Sequence, residues 1–322
     1  MLMKLNNFTL NFIKKIIFFL LILIFFLSII KAADIFLNRQ YGLGNVVLYD
    51  NSIITGYNLR PNQKITNRRN NSISINNKGM RSNNDWLNNN NNRKILFIGD
   101  SVTYGGSIVS NNELFSEKIC QKLNVNNKKF LCGNYAVNGY SVISMKNKIE
   151  YKEFNDEEFI IIVLVASDME RNFHNLYSQP FYSKKISNYF PALTELINIY
   201  LERFIYNIKH QNNSVELEIK SEKYKNFTKE NIENLSKITK KTNKKIILVY
   251  SPEISEISNK NKFFYYKNIL KNNFPNFIDM TYYISREKNF NKIYYDHVHL
   301  NTEGHEFYAN IIKDYLIKKF NL

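Results

Sequence analysis

Four consecutive apolar residues, Ile95-Leu96-Phe97-Ile98, run directly into Gly99-Asp100-Ser101. A short apolar run rich in β-branched and aromatic side chains reads as a buried strand, and Gly-Asp-Ser is where such a strand turns towards a helix. In open α/β sheets ligands bind at the carboxyl ends of the strands, where the first turn of the following helix leaves backbone N–H groups unpaired. Ser101 is therefore placed for a nucleophile. An ordinary turn in which Ser101 or Thr103 caps the next helix explains the same three residues.

A serine hydroxyl at neutral pH needs an imidazole to take its proton and a carboxylate to orient that imidazole. Near the other end of the chain, Asp296-His297-Val298-His299-Leu300-Asn301-Thr302-Glu303-Gly304-His305 offers both. Asp296 and His299 stand three apart just before a predicted helix, a spacing that in a turn brings both side chains to one side. The alternative is that Asp296 caps the helix and the histidines are surface residues.

Ile-Gly-Asp-Ser together with a later Asp-x-x-His-Leu-Asn-x-x-Gly resembles the SGNH, or GDSL-type, hydrolase superfamily over about Arg93 to Leu322. The resemblance implies a flavodoxin-like three-layer α/β/α sandwich with a mostly parallel central sheet. It implies Ser101 as nucleophile, His299 as general base and Asp296 as its orienting partner. It also implies an oxyanion hole built from the N–H groups of Ser101 and Gly139. The family's third block, Gly-x-Asn-Asp, stands here as Val165-Ala166-Ser167-Asp168, so the amide donor becomes at best the Ser167 hydroxyl, which is shorter and rotates. Loss of one such donor costs on the order of a hundredfold in rate. The activity implied is a serine esterase removing O-acyl, chiefly O-acetyl, groups from an envelope carbohydrate. An O-acetyltransferase of a surface glycan shares the same residues, and the altered third block keeps open a degenerate domain that binds a glycan without chemistry.

Composition narrows the rest. The chain has 322 residues, 44% hydrophobic and 15% aromatic, enough for a real core. Its 44 basic and 28 acidic residues give a net charge of +16, spread through a sequence rich in asparagine and lysine. That charge suits a membrane surface or acidic glycans. No basic helix or aromatic-basic motif points to nucleic acid. The five histidines and two cysteines have no zinc-ligand spacing, and no glycine-rich phosphate loop follows the first strand, so catalysis without metal or cofactor is expected.

Lys4, Lys14 and Lys15 precede the uncharged run Ile16 to Ile30. Lysines on that side put the amino terminus inside and the remainder outside the cytoplasm. A cleaved signal peptide and an uncleaved anchor both fit residues 1–33. Ala32 and Ala33 are preceded two residues back by Ile30 and Lys31, poor cleavage contexts that favour the anchor.

Residues 34–92 read as a small extension of hairpins and loops, with Gly42, Gly44, Gly56 and Pro61 breaking its apolar pieces and the Asn88 to Asn92 tract at the boundary. Residues 93–322 form the catalytic domain. Strands are expected at Lys94–Ile98, Phe130–Ala136, Phe159–Ala166, Lys245–Tyr250 and around Ile293–Tyr295, alternating with helices as in a doubly wound sheet. In the last helix Phe307, Ile311, Ile312 and Tyr315 should face the sheet. Residues 167–224 exceed one crossover, and Phe173, Tyr177, Phe181, Tyr182, Tyr189 and Phe190 suit a lid, an acceptor-binding surface or the core. Cys120 and Cys132, at the end of one helix and on the next strand, are candidates for a disulfide in an exported protein, or for two buried thiols.

Overall fold

The structure, a computed structural model, describes residues 2–41, 43–67, 69–87, 92–124, 129–174, 189–210, 222–258 and 264–322. Gly42, most of the asparagine tract, Tyr177, Phe181 and Tyr182 lie outside the described residues. The chain runs through α1 (Leu2–Tyr41), β1 (Tyr49–Ser52), β2 (Gly56–Leu59), β3 (Gln63–Thr66), β4 (Ser72–Ile75), β5 (Arg93–Ile98), α2 (Ser101–Tyr104), α3 (Phe115–Leu123), β6 (Phe130–Asn134), α4 (Val142–Glu150), β7 (Phe159–Leu164), α5 (Ala166–Glu170), α6 (Pro191–His210), α7 (Glu222–Lys241), β8 (Lys245–Tyr250), α8 (Ile254–Ser258), α9 (Phe264–Asn273), β9 (Phe277–Asp279), α10 (Met280–Ile284) and α11 (Thr302–Phe320).

The polypeptide divides into two compact units, Met1–Val46 with Lys184–Asn212, and Val47–Ser183 with Asn213–Leu322. In the first, α1 is long and apolar enough to cross a membrane by length and composition, with a mean hydropathy of 2.9 in its richest stretch. Just past the apolar run, Lys31 Nζ donates to Tyr189 O at 2.5 Å, and Asp34 Oδ1 accepts from Leu193 N at 3.0 Å. Asp34 thus satisfies an otherwise unpaired N–H in the first turn of α6, which opens on Pro191.

The second unit is built on a five-stranded sheet of order β6-β5-β7-β8-β9, parallel throughout. Every residue of β7 is buried, as strands covered on both faces require. Alternate residues separate the two cores. Leu96, Ile98, Ile160, Ile162 and Leu248 pack with α4, α7 and α9 on one face. Ile95, Phe97, Ile161, Val163 and Val249 pack with α3, α8, α10 and α11 on the other. The result is a three-layer α/β/α sandwich.

The fifth strand and the buried face of the last helix differ from expectation. The fifth strand is Phe277–Asp279, whereas Phe290–Ile293 is a 3-10 turn and Tyr294 makes only an isolated antiparallel bridge to Leu300. On α11 the fully buried stripe is His305, Tyr308, Ala309, Ile312 and Leu316, while Phe307, Ile311 and Tyr315 pack at its margin. Within residues 34–92, the stretch to Val46 groups with α1. From Val47 onward the hairpins β1–β2 and β3–β4 share a core with the sheet through Tyr57, Leu59, Ile73, Ile75, Met80 and Trp86. Cys120 and Cys132 are joined, tying α3 to β6 with Cα atoms 5.9 Å apart. Closing so short a loop stabilises by about 3 kcal/mol in the chain-entropy account.

Candidate active site

Three segments at the carboxyl edge of the sheet, following β5, β6 and β7, carry Ser101, Gly139 and Ser167. After β5 the chain must turn at once. At Gly99 a Cβ would stand 2.2 Å from Thr103 Oγ1, so only glycine lets the strand end this close to α2. The cap of α2 is neither Ser101 nor Thr103 but Asp100, whose Oδ1 accepts from Val102 N at 2.9 Å. Its other oxygen, Oδ2, lies 3.3 Å from Ser101 Oγ. With the capping task met by Asp100, the Ser101 hydroxyl is available at the first residue of the helix.

His299 Nε2 lies 2.9 Å from Ser101 Oγ, and His299 Nδ1 lies 2.7 Å from Asp296 Oδ2. Asp296 does not cap α11. That role falls to Asn301, whose Oδ1 accepts from Gly304 N at 2.9 Å. Instead Asp296 Oδ1 accepts from the N–H groups of Val298 (2.9 Å) and His299 (2.8 Å), an Asx-type turn that fixes one oxygen on backbone and leaves the other for the imidazole. Burial, the largest single influence, raises its pKa. The two backbone donors and the imidazole outweigh this and hold the carboxyl below its ordinary value. Tyr295 N donates to His299 O at 2.8 Å, and Ile254 N to His297 O at 3.0 Å, so α8 and the turn's own ends clamp the loop.

Gly139 adopts φ 74°, a conformation that favours glycine, in the loop that runs beside β5 through Tyr135 N to Phe97 O and Val137 N to Gly99 O. Among the described residues no acceptor is seated on the N–H of Gly139 or of Ser101. Ser167 stands in the first turn of α5, half-buried, and its Oγ accepts from Arg171 Nη2 at 3.4 Å. Asp168 beside it is fully buried and accepts from Val165 N at 3.0 Å. Burial, then the charge of Asp100, push its carboxyl well above the usual range against the pull of Arg171.

Sequence reasoning missed two arginines here. Arg81, before β5, is fully buried and stacks over the Tyr104 ring at 4.7 Å. It donates to Asn111 Oδ1 (3.1 Å), Tyr104 O (2.5 Å) and Val109 O, holding the loop that follows the serine helix. Arg171 is the second. The only signal for it was its i+3 spacing from Asp168. Among the described residues no three His, Cys, Asp or Glu side chains converge as metal ligands would.

A parallel α/β sheet presenting a hydroxyl, an imidazole and a carboxylate in line at its carboxyl edge is the frame of a serine hydrolase. The family model for GDSL-like lipase/acylhydrolase matches residues 95–312, and the chain belongs to that family. No curated protein sequence matches it. Solved structures similar to the chain include a two-domain esterase active on acetylated mannans, at 17% identity and TM-score 0.42, covering 70% of this chain and 49% of that one. Another is the lipase/acylhydrolase from Enterococcus faecalis, at 13% identity and TM-score 0.44, covering 70% and 96%. A third is the family 3 carbohydrate esterase of Clostridium thermocellum, at 13% identity and TM-score 0.40, covering 71% and 98%. This chain thus spans about half the length of the mannan esterase.

Proposed function

We propose that the chain is an anchored serine esterase that removes O-acyl groups, chiefly O-acetyl, from an envelope carbohydrate. The observation that carries this reading is the unbroken line from Ser101 Oγ through His299 to Asp296, at 2.9 and 2.7 Å. His299 Nε2 takes the serine proton as Ser101 Oγ attacks the ester carbonyl. The tetrahedral oxyanion forms against the N–H groups of Ser101 and Gly139, with the Ser167 hydroxyl as third donor. His299 then protonates the departing sugar oxygen, and the acyl-Ser101 ester is cleaved by water that gives its proton to the same nitrogen. Asp296 keeps the Nδ1 proton of His299 pointing away from the serine and stabilises the imidazolium.

The surroundings of the triad favour a sugar over a fatty chain. Tyr295 and His297, on either side of Asp296, are 51% and 77% exposed, and the Arg69 guanidinium lies 4.8 Å over the Tyr295 ring. Asn67 and Asn71 donate to the carbonyls of Ser107 and Ile108, next to Gly106, where a Cβ would stand 3.4 Å from His299 Cδ2. This rim is polar and aromatic, the mixture that suits hydroxyl-rich rings. Anchoring rests on α1, and the bonds of Lys31 and Asp34 to residues 189 and 193 favour retention over cleavage at Ala32 or Ala33.

Purified protein incubated with an acetylated glycan should release acetate with no acceptor present, and Ser101→Ala should abolish the release. Acetate that stays bound until a glycan hydroxyl is supplied, and then appears on that glycan, would replace the esterase by an acyltransferase.

A further inference from the structure

Arg171 touches all three loops of the oxyanion side. Its Nη1 donates to Tyr140 O at 2.7 Å, the carbonyl next to Gly139. The same nitrogen donates to Asp168 Oδ1 at 3.2 Å and lies 3.9 Å from Asp100 Oδ2, the oxygen 3.3 Å from Ser101 Oγ. Nη2 donates to Ser167 Oγ at 3.4 Å. A guanidinium is planar, permanently charged and carries donors in a fixed fork, so it sets directions as well as distances.

The consequence falls on Ser167. A hydroxyl has one hydrogen and two lone pairs, and an unconstrained one rotates among them. With a lone pair of Ser167 Oγ directed at Arg171, its hydrogen must point elsewhere. An amide in this position would need no such help, because its N–H direction is fixed by the side chain's plane. We infer that Arg171 is the positioning residue of the oxyanion hole: it orients the Ser167 hydroxyl as a donor and holds the Gly139 and Ser101 loops in register with it. This inference rests on the Ser101 reading above. It goes beyond that reading by making the hole depend on a guanidinium outside the motifs that carry Ser101, Gly139, Ser167 and His299.

A residue of this kind acts on the transition state, where charge appears on the oxygen, and little on ground-state binding. Arg171→Met should lower kcat on a soluble acetyl ester by about ten- to a hundredfold with KM within about twofold. Arg171→Lys, which keeps the charge and loses the fork, should fall between. Adding Ser167→Ala to Arg171→Met should cost less than about twofold further, whereas Ser167→Ala alone costs about tenfold or more, because the two act as a unit. Guanidinium added to Arg171→Ala should restore part of kcat. Rates are taken per site titrated by a fluorophosphonate, so loss of folded protein does not enter; if the methionine variant fails to fold, the lysine variant carries the same comparison. Unchanged kcat per titrated site, or an equal cost of Ser167→Ala in both backgrounds, overturns the inference while leaving the Ser101 reading intact. A native protein that takes no label overturns both.

Discussion

Asp296 divides its two oxygens between its own turn and His299, and that division makes a sharp prediction at the residue scale. In Asp296→Asn the amide oxygen can keep the backbone bonds, but the amide nitrogen then presents a hydrogen to His299 Nδ1. The imidazole is driven to the tautomer with its hydrogen on Nε2, facing Ser101, where it cannot accept the serine proton. Turnover should fall on the order of a thousandfold or more with the melting temperature little changed. A loss below tenfold would remove Asp296 from the role. Ser101, His299 and Asp296 were legible in the sequence as candidates because the proposed catalysis needs three residue kinds, two of them at fixed short spacing. Arg171 and Arg81 were not. Arg81 holds the backbone carbonyls of Tyr104 and Val109, and Arg171 joins its near neighbours Ser167 and Asp168 to the Tyr140 carbonyl of another loop; a carbonyl carries no mark in the sequence.

Among the elements, the strands that read clearly are those long enough to show a pattern. Arg93–Ile98, Phe159–Leu164 and Lys245–Tyr250 each hold an unbroken apolar run of four residues or more. Phe277–Asp279 has three residues among turn formers, too few to register, while Ile293-Tyr294-Tyr295 has strand composition but closes the His299 loop instead. The sheet's opposite edge has its own fastening. Glu158, just before β7, pairs with Arg93 of β5 at 2.7 Å and Lys245 of β8 at 2.7 Å. Hydrogen bonding to Arg93 is the main cause that lowers its carboxyl to about 2, with burial opposing and Lys245 assisting. The native value lies below the unfolded value of about 4.3. Its stabilisation is therefore complete above that pH and is lost as pH falls towards about 2. The melting-temperature gap between the native protein and Glu158→Gln should be constant from neutral pH to about 5 and close by about pH 2. A gap independent of pH across that range would deny the ion pair its part.

At the scale of the whole molecule, one chain joins an apolar helix to a hydrolase. The helix was legible from hydropathy and flanking lysines. The packing of the hairpins after Val47 into the sheet's core was not, because strands of four residues show an alternation only when their partners are known. Residues outside the family match, Arg81 among them, thereby support the loop beside Ser101. The anchored reading requires the unit built on the sheet to lie outside the cytoplasm. A reporter that works only after export, fused after Leu322, should be active, and strong activity of a cytoplasm-only reporter at that junction would reverse the orientation.

In the proposed mechanism Ser101 is a nucleophile activated by His299. Treating the intact protein with a fluorophosphonate and mapping the adduct by peptide mass measures it most directly. One phosphonyl group should appear, on Ser101, absent from Ser101→Ala and formed at least a hundredfold more slowly in His299→Ala. Folded protein that remains unlabelled, or carries the adduct on another residue, would contradict the account.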